Sequence, residues 1–402
     1  MAIAVSFPTG VISTAKAILL VGGLAALGWD MMGARQFYAN RVQHATSLAV
    51  LLALAVLGAS VLWTTATLAD AGHAWTKHAK LALIPLIIAL VRTRPEARRA
   101  LQCFLGMQGI VLVLSWLSWF HVPLPFPTQA TPGRDFLVFA GHLDQPIMLA
   151  IATAVYWHMR AELNWGMLGK SPAAIALVAA SLLNVLCIEF GRTGQVVAIA
   201  LLCQAVFWQI PRRFKGIALL SPVIVAGVIL GASPQVQHRM GLVLQETSSY
   251  EASGNIESSS GERLNYWHRS LQAIAQAPVL GYGVGSWNME YNRMEGGKGR
   301  LHTYQIRNPH EEFLLWTVEA GMLGLLLICG VFAAGFSDTR RMAGSAQRAT
   351  VSVLMAMVVS CGINSSLFDA QIGDYLCVAL AMCLALGLRS GLNDRLANRE
   401  GA

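Results

Sequence analysis

An all-α protein that crosses a membrane many times is what three observations predict. Hydrophobic residues make up 55% of the 402-residue chain, charged residues only 12%, and the mean hydropathy is +0.53. So few charges cannot cover a soluble globule of this size. The apolar residues also fall into runs near 11–29, 46–68, 78–92, 99–120, 144–160, 172–190, 194–210, 215–232, 310–336, 347–366 and 373–390, and such runs suit a hydrocarbon layer ~30 Å thick. They predict about 11–12 transmembrane helices. The third observation is where the charge lies. Arg92, Arg94, Arg98 and Arg99 share one short connection, Arg212, Arg213 and Lys215 another, Arg340, Arg341 and Arg348 a third, and Arg389, Arg395 and Arg399 close the chain. These alternate with connections poor in Lys and Arg, the positive-inside pattern. The basic connections are expected in the cytoplasm, and the 121–143, 190–194 and 367–373 connections and the long 233–309 segment on the outer side.

Three parts follow: N-terminal transmembrane helices over 1–232, one large outer loop over 233–309, and C-terminal transmembrane helices over 310–402. The first run has no basic segment before it and no small-residue cleavage pattern after it, so it reads as a retained helix rather than a signal peptide. Lys16 is expected to snorkel to an interface, and Trp63, Trp75, Trp116 and Trp119 to anchor helix ends at headgroup level. The proline-rich 121–143 connection is extended, either a substrate lip or a plain linker. Seven cysteines lie within or beside apolar runs with no CxxC pair; neither a disulfide framework nor a thiolate metal site is expected. The net charge of +8 does not indicate nucleic acid, because it follows the basic connections. Within 233–309, seven Lys or Arg nearly balance six Glu.

A connection as long as 233–309 is functional or disordered as a rule, and this one is patterned. Leu264, Trp267, Leu271 and Ile274 recur at helical spacing, Pro278 stops the helix, and Gly281, Gly283 and Gly285 follow as flexible punctuation. Arg263 falls in the first turn of this amphipathic helix. Upstream, CIEFGRTGQ at 187–195 sets Glu189 and Arg192 three residues apart at the outer mouth of two apolar helices. The pair is either a local ion pair at an interface or a functional charge, since charge at that depth is costly. GRTG lacks the spacing of a P-loop. After the loop, Asn308-Pro309-His310 opens a helix that carries Glu311, Glu312 and Glu319. Carboxylates in a first turn suit the helix dipole, which explains Glu311 and Glu312 but not Glu319. Asn364, Asp369 and Asp374 flank the last outer turn and read as an outer cap.

If Arg192, Arg263 and His310 converge, they form two fixed cations beside a titratable base. Guanidinium groups grip phosphate oxygens bidentately, and imidazole gives up its proton near neutrality. Two arginines and a histidine at a membrane surface suit a lipid diphosphate leaving group and an acceptor hydroxyl. No carboxylate or histidine cluster in the outer segments has metal-ligand spacing, so no metal and no other cofactor is expected.

The order of a GRT turn, then SGERLNYW, then APVLGYGVGSW, then NPHEEFLLWTVEAGMLG resembles the O-antigen ligase and polymerase superfamily of bacterial envelope glycosyltransferases. The resemblance implies a GT-C type fold in the bacterial inner membrane with its active site facing the periplasm. It implies metal-independent transfer of a glycan from undecaprenyl diphosphate, with Arg192 and Arg263 in the diphosphate-binding positions and His310 in the base position. Trp267, Tyr282, His302 and Glu311 are possible supporting residues. The family commonly has Asn where this chain has Glu311: an orienting role would be lost, a capping role kept. Within the superfamily the chain reads as a lipopolysaccharide O-antigen ligase, with undecaprenyl-diphosphate-linked O-antigen as donor and lipid A-core oligosaccharide as acceptor. The absence of an appended C-terminal domain favours that over a protein O-oligosaccharyltransferase; an O-antigen polymerase stays open as an alternative. A polytopic transporter of lipid-linked glycan would place its polar residues at the bilayer midplane, whereas here they gather on one face.

Overall fold

The computed structural model describes residues 1–33, 44–125, 137–189, 191–214, 216, 227, 231, 234–254, 256–295, 308–342 and 344–400. Within them the chain is all-α. The helices are α1 (Thr9–Gly33), α2 (Ala45–Ala59), α3 (Leu68–His78), α4 (Leu83–Leu90), α5 (Arg94–Trp119), α6 (Asp144–Met159), α7 (Ser171–Leu183), α8 (Arg192–Gln209), α9 (Pro234–Ser253), α10 (Ser259–Gln276), α11 (Trp287–Met294), α12 (Glu312–Thr339), α13 (Gly344–Cys361) and α14 (Ala370–Glu400). Short 3-10 turns extend α2 through Trp63 and join α3 to α4, and a π-turn extends α7 through Ile188.

Six stretches among the described residues are long and apolar enough to cross a membrane: Thr9–Gly28, Ala45–Trp63, Arg94–Trp119, Ser171–Ile188, Glu312–Thr339 and Ala370–Leu388. The expected runs at 78–92, 144–160, 194–210 and 347–366 are helical, as α4, α6, α8 and α13, but are not among those six. Their sequences can be shorter or more polar because protein surrounds them: Gln145 through Ala152 of α6 are all buried. The 215–232 run lies almost wholly outside the described residues. Ala370–Leu388 is 94% buried and forms the axis of the bundle, packed by α4, α5 and α13, whereas Thr9–Gly28 is 11% buried and peripheral.

Polar fastenings mark the two ends. At the basic end Asp338 of α12 accepts from the Thr46 amide (2.9 Å) and hydroxyl (2.6 Å), tying two helix termini together. Arg94 there pairs with Glu162 at 3.0 Å. Thr93 and Glu96 form a capping box with Pro95 in the first turn, a strong start signal. At the opposite end Lys16 does not snorkel: it pairs with Asp374 at 2.7 Å and so fastens the loose α1 to the axial helix. The tryptophans expected as anchors bond to neighbouring backbone as well, Trp63 to the Leu280 carbonyl (3.2 Å) and Trp116 to that of Ala180 (3.3 Å). Of the cysteines, Cys203, Cys361, Cys377 and Cys383 are buried and Cys103, Cys187 and Cys329 are exposed.

The 233–309 segment builds a second, smaller core. Tyr266 of α10, Trp287 and Tyr291 of α11, Leu315 and Val318 of α12, Ala71 and Ala74 of α3, and Phe368 pack together. The face of α10 that packs is centred beside the expected stripe, of which Trp267 and Ile274 pack half-buried at its edge. Asn265, Tyr266, Ser270 and Ala273 are buried while Leu271 is exposed, because α11 presents aromatic rings with polar atoms to satisfy. Trp287 Nε1 donates to Ser270 Oγ (2.8 Å) and Asn265 Nδ2 to the Tyr291 hydroxyl (2.8 Å).

Glycines 281–285 are not flexible punctuation but a strap threaded against a kink in α12. Ala320 and Gly321 leave the helical region, and the freed carbonyls of Val318 and Glu319 accept from the Tyr282 (3.0 Å) and Gly283 (2.7 Å) amides. The Glu319 carboxylate accepts from the Gly285 amide (2.8 Å) and contacts His78 Nε2 (2.9 Å). That is why a carboxylate sits two turns inside this helix. Gly321 has φ +63°, and a Cβ there would lie 2.3 Å from the Val279 carbonyl. Gly321→Ala is therefore expected to cost ~1–3 kcal/mol or more, from overpacking and left-handed strain, read as a lower melting temperature in detergent; melting like the wild type would refute the close packing of the strap.

Candidate functional site

Arg192 opens α8 next to Gly191, which supplies no side-chain cap. The start of α8 can seat on α6 only because its flanking residues lack side chains: a Cβ on Gly194 would lie 2.4 Å from Pro146 Cβ, and one on Gly191 2.4 Å from the His142 carbonyl. Arg192 is exposed, and its Nη1 donates to Ser260 Oγ at 3.2 Å. This contact joins α8 to the first turn of α10. Glu189 is not its partner: it is buried in a polar knot, accepting from Gln145 Nε2 at 2.6 Å.

Helix α10 begins at Ser259, capped by the Ser258 side chain, so Arg263 lies just past the first turn rather than within it. The half-buried Arg263 directs Nη1 at the Ile363 carbonyl, 3.5 Å away. Burial lowers the pKa of its guanidinium, the nearby charge of Arg192 pushes the same way, and Asp369 opposes both. The two arginines are thus electrostatic neighbours.

His310 does not open α12. The helix begins at Glu312 with Glu311 as its N-cap, the Glu311 carboxylate accepting from the Leu314 amide. His310 precedes the cap at φ +55°, a left-handed conformation uncommon for a residue with a side chain. Asn308 Oδ1 accepts from the His310 amide (2.9 Å) and holds that turn. The ring is gripped from two sides. His310 Nδ1 meets Asn364 Oδ1 at 3.0 Å, and the Tyr266 ring lies 6.1 Å away, centroid to centroid.

Asn364 and Asp369 are therefore part of the cluster, not merely an outer cap. Asn364 Nδ2 donates to Asp369 Oδ2 (3.1 Å). Burial raises the Asp369 pKa, while His310, Lys80 and Lys77 favour its ionised form. The loop that carries Asp369 is fixed from both flanks: Glu312 Oε2 accepts from the Leu367 (3.0 Å) and Phe368 (3.1 Å) amides, and Lys80 Nζ donates to the Phe368 carbonyl (3.0 Å). Nothing in the local sequence around 364 or 369 points at His310, because the contact spans 54 residues.

The remaining candidates lie elsewhere. Trp267 packs half-buried against the small core. Tyr282 belongs to the strap, its hydroxyl accepting from Arg293 at 3.0 Å. Glu311 is spent on capping, so a side chain that only needs to cap serves there. His268 is exposed on α10 against Gln272, and His302 lies outside the described residues. In sum, Arg192, Arg263, His310, Asn364 and Asp369 gather at one end of the bundle, opposite the end that carries Arg94 and Asp338.

No curated protein matches the chain. Residues 173–329 match the family model described as O-antigen ligase, a stretch that runs from α7 to the middle of α12 and contains Arg192, Arg263 and His310. That match covers less than half of the chain and supports its similarity to the O-antigen ligase superfamily.

Proposed function

We propose that this protein is a lipopolysaccharide O-antigen ligase that transfers a glycan from undecaprenyl diphosphate to lipid A-core oligosaccharide at the periplasmic face of the inner membrane. One observation carries the reading: two guanidinium groups are held as neighbours, one of them at a helix N-terminus, within a cluster that includes an imidazole. Like charges brought together repel, and a cation at a helix N-terminus faces the positive end of the dipole. Both costs vanish when a dianionic group binds there. Helix N-termini and arginine forks are each favourable to phosphate oxygens.

The chemistry then divides among these residues. Arg192 and Arg263 hold the diphosphate and take up the charge that grows on it as the anomeric carbon to oxygen bond breaks. His310 Nε2 accepts the proton of the acceptor hydroxyl as that oxygen forms the new glycosidic bond. The resulting imidazolium is stabilised by the Asp369 carboxylate across Asn364. Arginine supplies the neutralisation that a metal would otherwise give, so the reaction is metal-independent.

The test is cellular. Cells lacking this protein should accumulate lipid-linked O-antigen of full length while their lipid A-core stays bare. Core bearing single repeat units would assign a polymerase instead, and normal lipopolysaccharide would overturn the reading. Purified protein given lipid-linked donor and lipid A-core is expected to transfer glycan in excess EDTA at its full rate. Activity lost to the chelator and restored by Mg²⁺ or Mn²⁺ would place a metal among Glu189, Glu311, Glu312 and Asp369.

A further inference from the structure

His310 can act as a base only if the nitrogen facing the substrate carries a lone pair, and the proton on a neutral imidazole sits where its hydrogen-bond partner dictates. The partner here is an amide. Asn364 offers Oδ1, an acceptor with no proton to give, to His310 Nδ1 at 3.0 Å, and offers Nδ2 to Asp369 Oδ2 at 3.1 Å. A flipped amide would face its oxygen toward the carboxylate, acceptor against acceptor. The Asp369 carboxylate therefore fixes the amide, and the amide fixes the ring: Nδ1 must hold the proton, and Nε2 is left bare.

We propose that the Asn364 carboxamide, oriented by Asp369, is the positioning residue that sets the tautomer of His310. The proposal rests on the reading of His310 as base. It assigns a function to the buried Asn364 side chain that capping does not explain: an amide cannot relay a proton, so the proton taken at Nε2 stays on the ring until product leaves. It also accounts for the strained backbone. With φ at +55° and its amide held by Asn308, His310 turns its Nδ1 edge toward Asn364 rather than toward its own helix.

The charged and titratable groups facing this pair come from every neighbouring element. Lys77 of α3 and Lys80 beyond it, Arg263 of α10 and His310 itself favour ionised Asp369. Asp144 at the start of α6 is the opposing carboxylate. Tyr266 and Glu311 complete the surroundings of the ring.

Nitrogen NMR of histidine-labelled full-length protein in lipid nanodiscs reads the tautomer directly, with His310→Gln assigning the signal. The wild type should show neutral His310 protonated at Nδ1 and bare at Nε2; protonation at Nε2 would overturn the proposal without any variant of Asn364 being needed. Asn364→Leu should release the ring to the Nε2-protonated form and lower kcat ~10²–10⁴-fold, the range of general-base assistance, with KM little changed. Asn364→Asp keeps an acceptor against Nδ1. It should retain the tautomer and keep much more activity than the leucine variant, with the acid limb of kcat moved to higher pH by the added carboxylate. Equal losses in both variants with no movement of the pH profile would show that Asn364 only packs. Normal turnover by His310→Ala would remove the base reading while leaving the NMR result to stand or fall by itself.

Discussion

His310→Ala is expected to abolish glycan transfer while leaving the lipid-linked donor bound. General-base assistance contributes ~10²–10⁴-fold to rate, and loss of the imidazole leaves Arg192 and Arg263 in place to hold the diphosphate. The measurement pairs donor binding with single-turnover transfer for alanine variants of His310, His302 and His268. His268 is exposed on α10 and bonded to Gln272, so its removal should leave turnover unchanged. Normal turnover in His310→Ala with loss in His302→Ala would move the base to the loop residue. Backbone strain complicates the choice of substitution in an informative way. Because His310 has φ +55°, Asn, which tolerates the left-handed region better than most residues, should preserve the turn where Ala strains it. His310→Asn and His310→Ala should therefore differ in stability but agree in their loss of transfer.

The second large effect is expected from the arginines. Arg192→Lys and Arg263→Lys keep a positive charge but replace a planar fork by a point ammonium, which cannot reproduce bidentate contact with phosphate oxygens. Truncating one partner of a desolvated, hydrogen-bonded charge pair costs ~2–5 kcal/mol, so each variant should lose donor binding and transfer together, unlike His310→Ala. The two arginines should also differ from each other. Arg192 is exposed and bonded only to the Ser260 side chain among the described residues, whereas Arg263 is half-buried and reaches the Ile363 carbonyl beside Asn364. Arg263→Lys should therefore disturb the His310 anchor as well as the donor. Full activity of either lysine variant at normal membrane levels would remove that arginine from the diphosphate site.

The sequence by itself determined the class of the molecule and the identity of its site candidates. Hydrophobic run length and sparse charge leave a polytopic helical membrane protein as the only solution, because backbone amides in hydrocarbon must be satisfied within helices or closed barrels. The alternation of basic connections assigned Arg192, Arg263 and His310 to one face, opposite Arg94 and Arg341. What it could not carry was anything set by contacts between distant residues. Periodicity put Leu264 and Leu271 on the inner face of α10; packing chose Tyr266 and Ser270 instead, because the aromatic partners on α11 lie in a separate turn of the chain. Glu319 read as a charge without purpose until the strap amide of Gly285 and the ring of His78 were brought to it. His310 read as the first residue of a helix, since Pro309 is a good helix opener; the Glu311 cap and the Asn308 turn moved the start to Glu312 and turned the ring toward Asn364. Only the tertiary structure decided that Asn364 and Asp369 stand behind the histidine, because a hydrogen bond across 54 residues leaves no trace in local pattern, and its geometry exists only once the axial helix is in place.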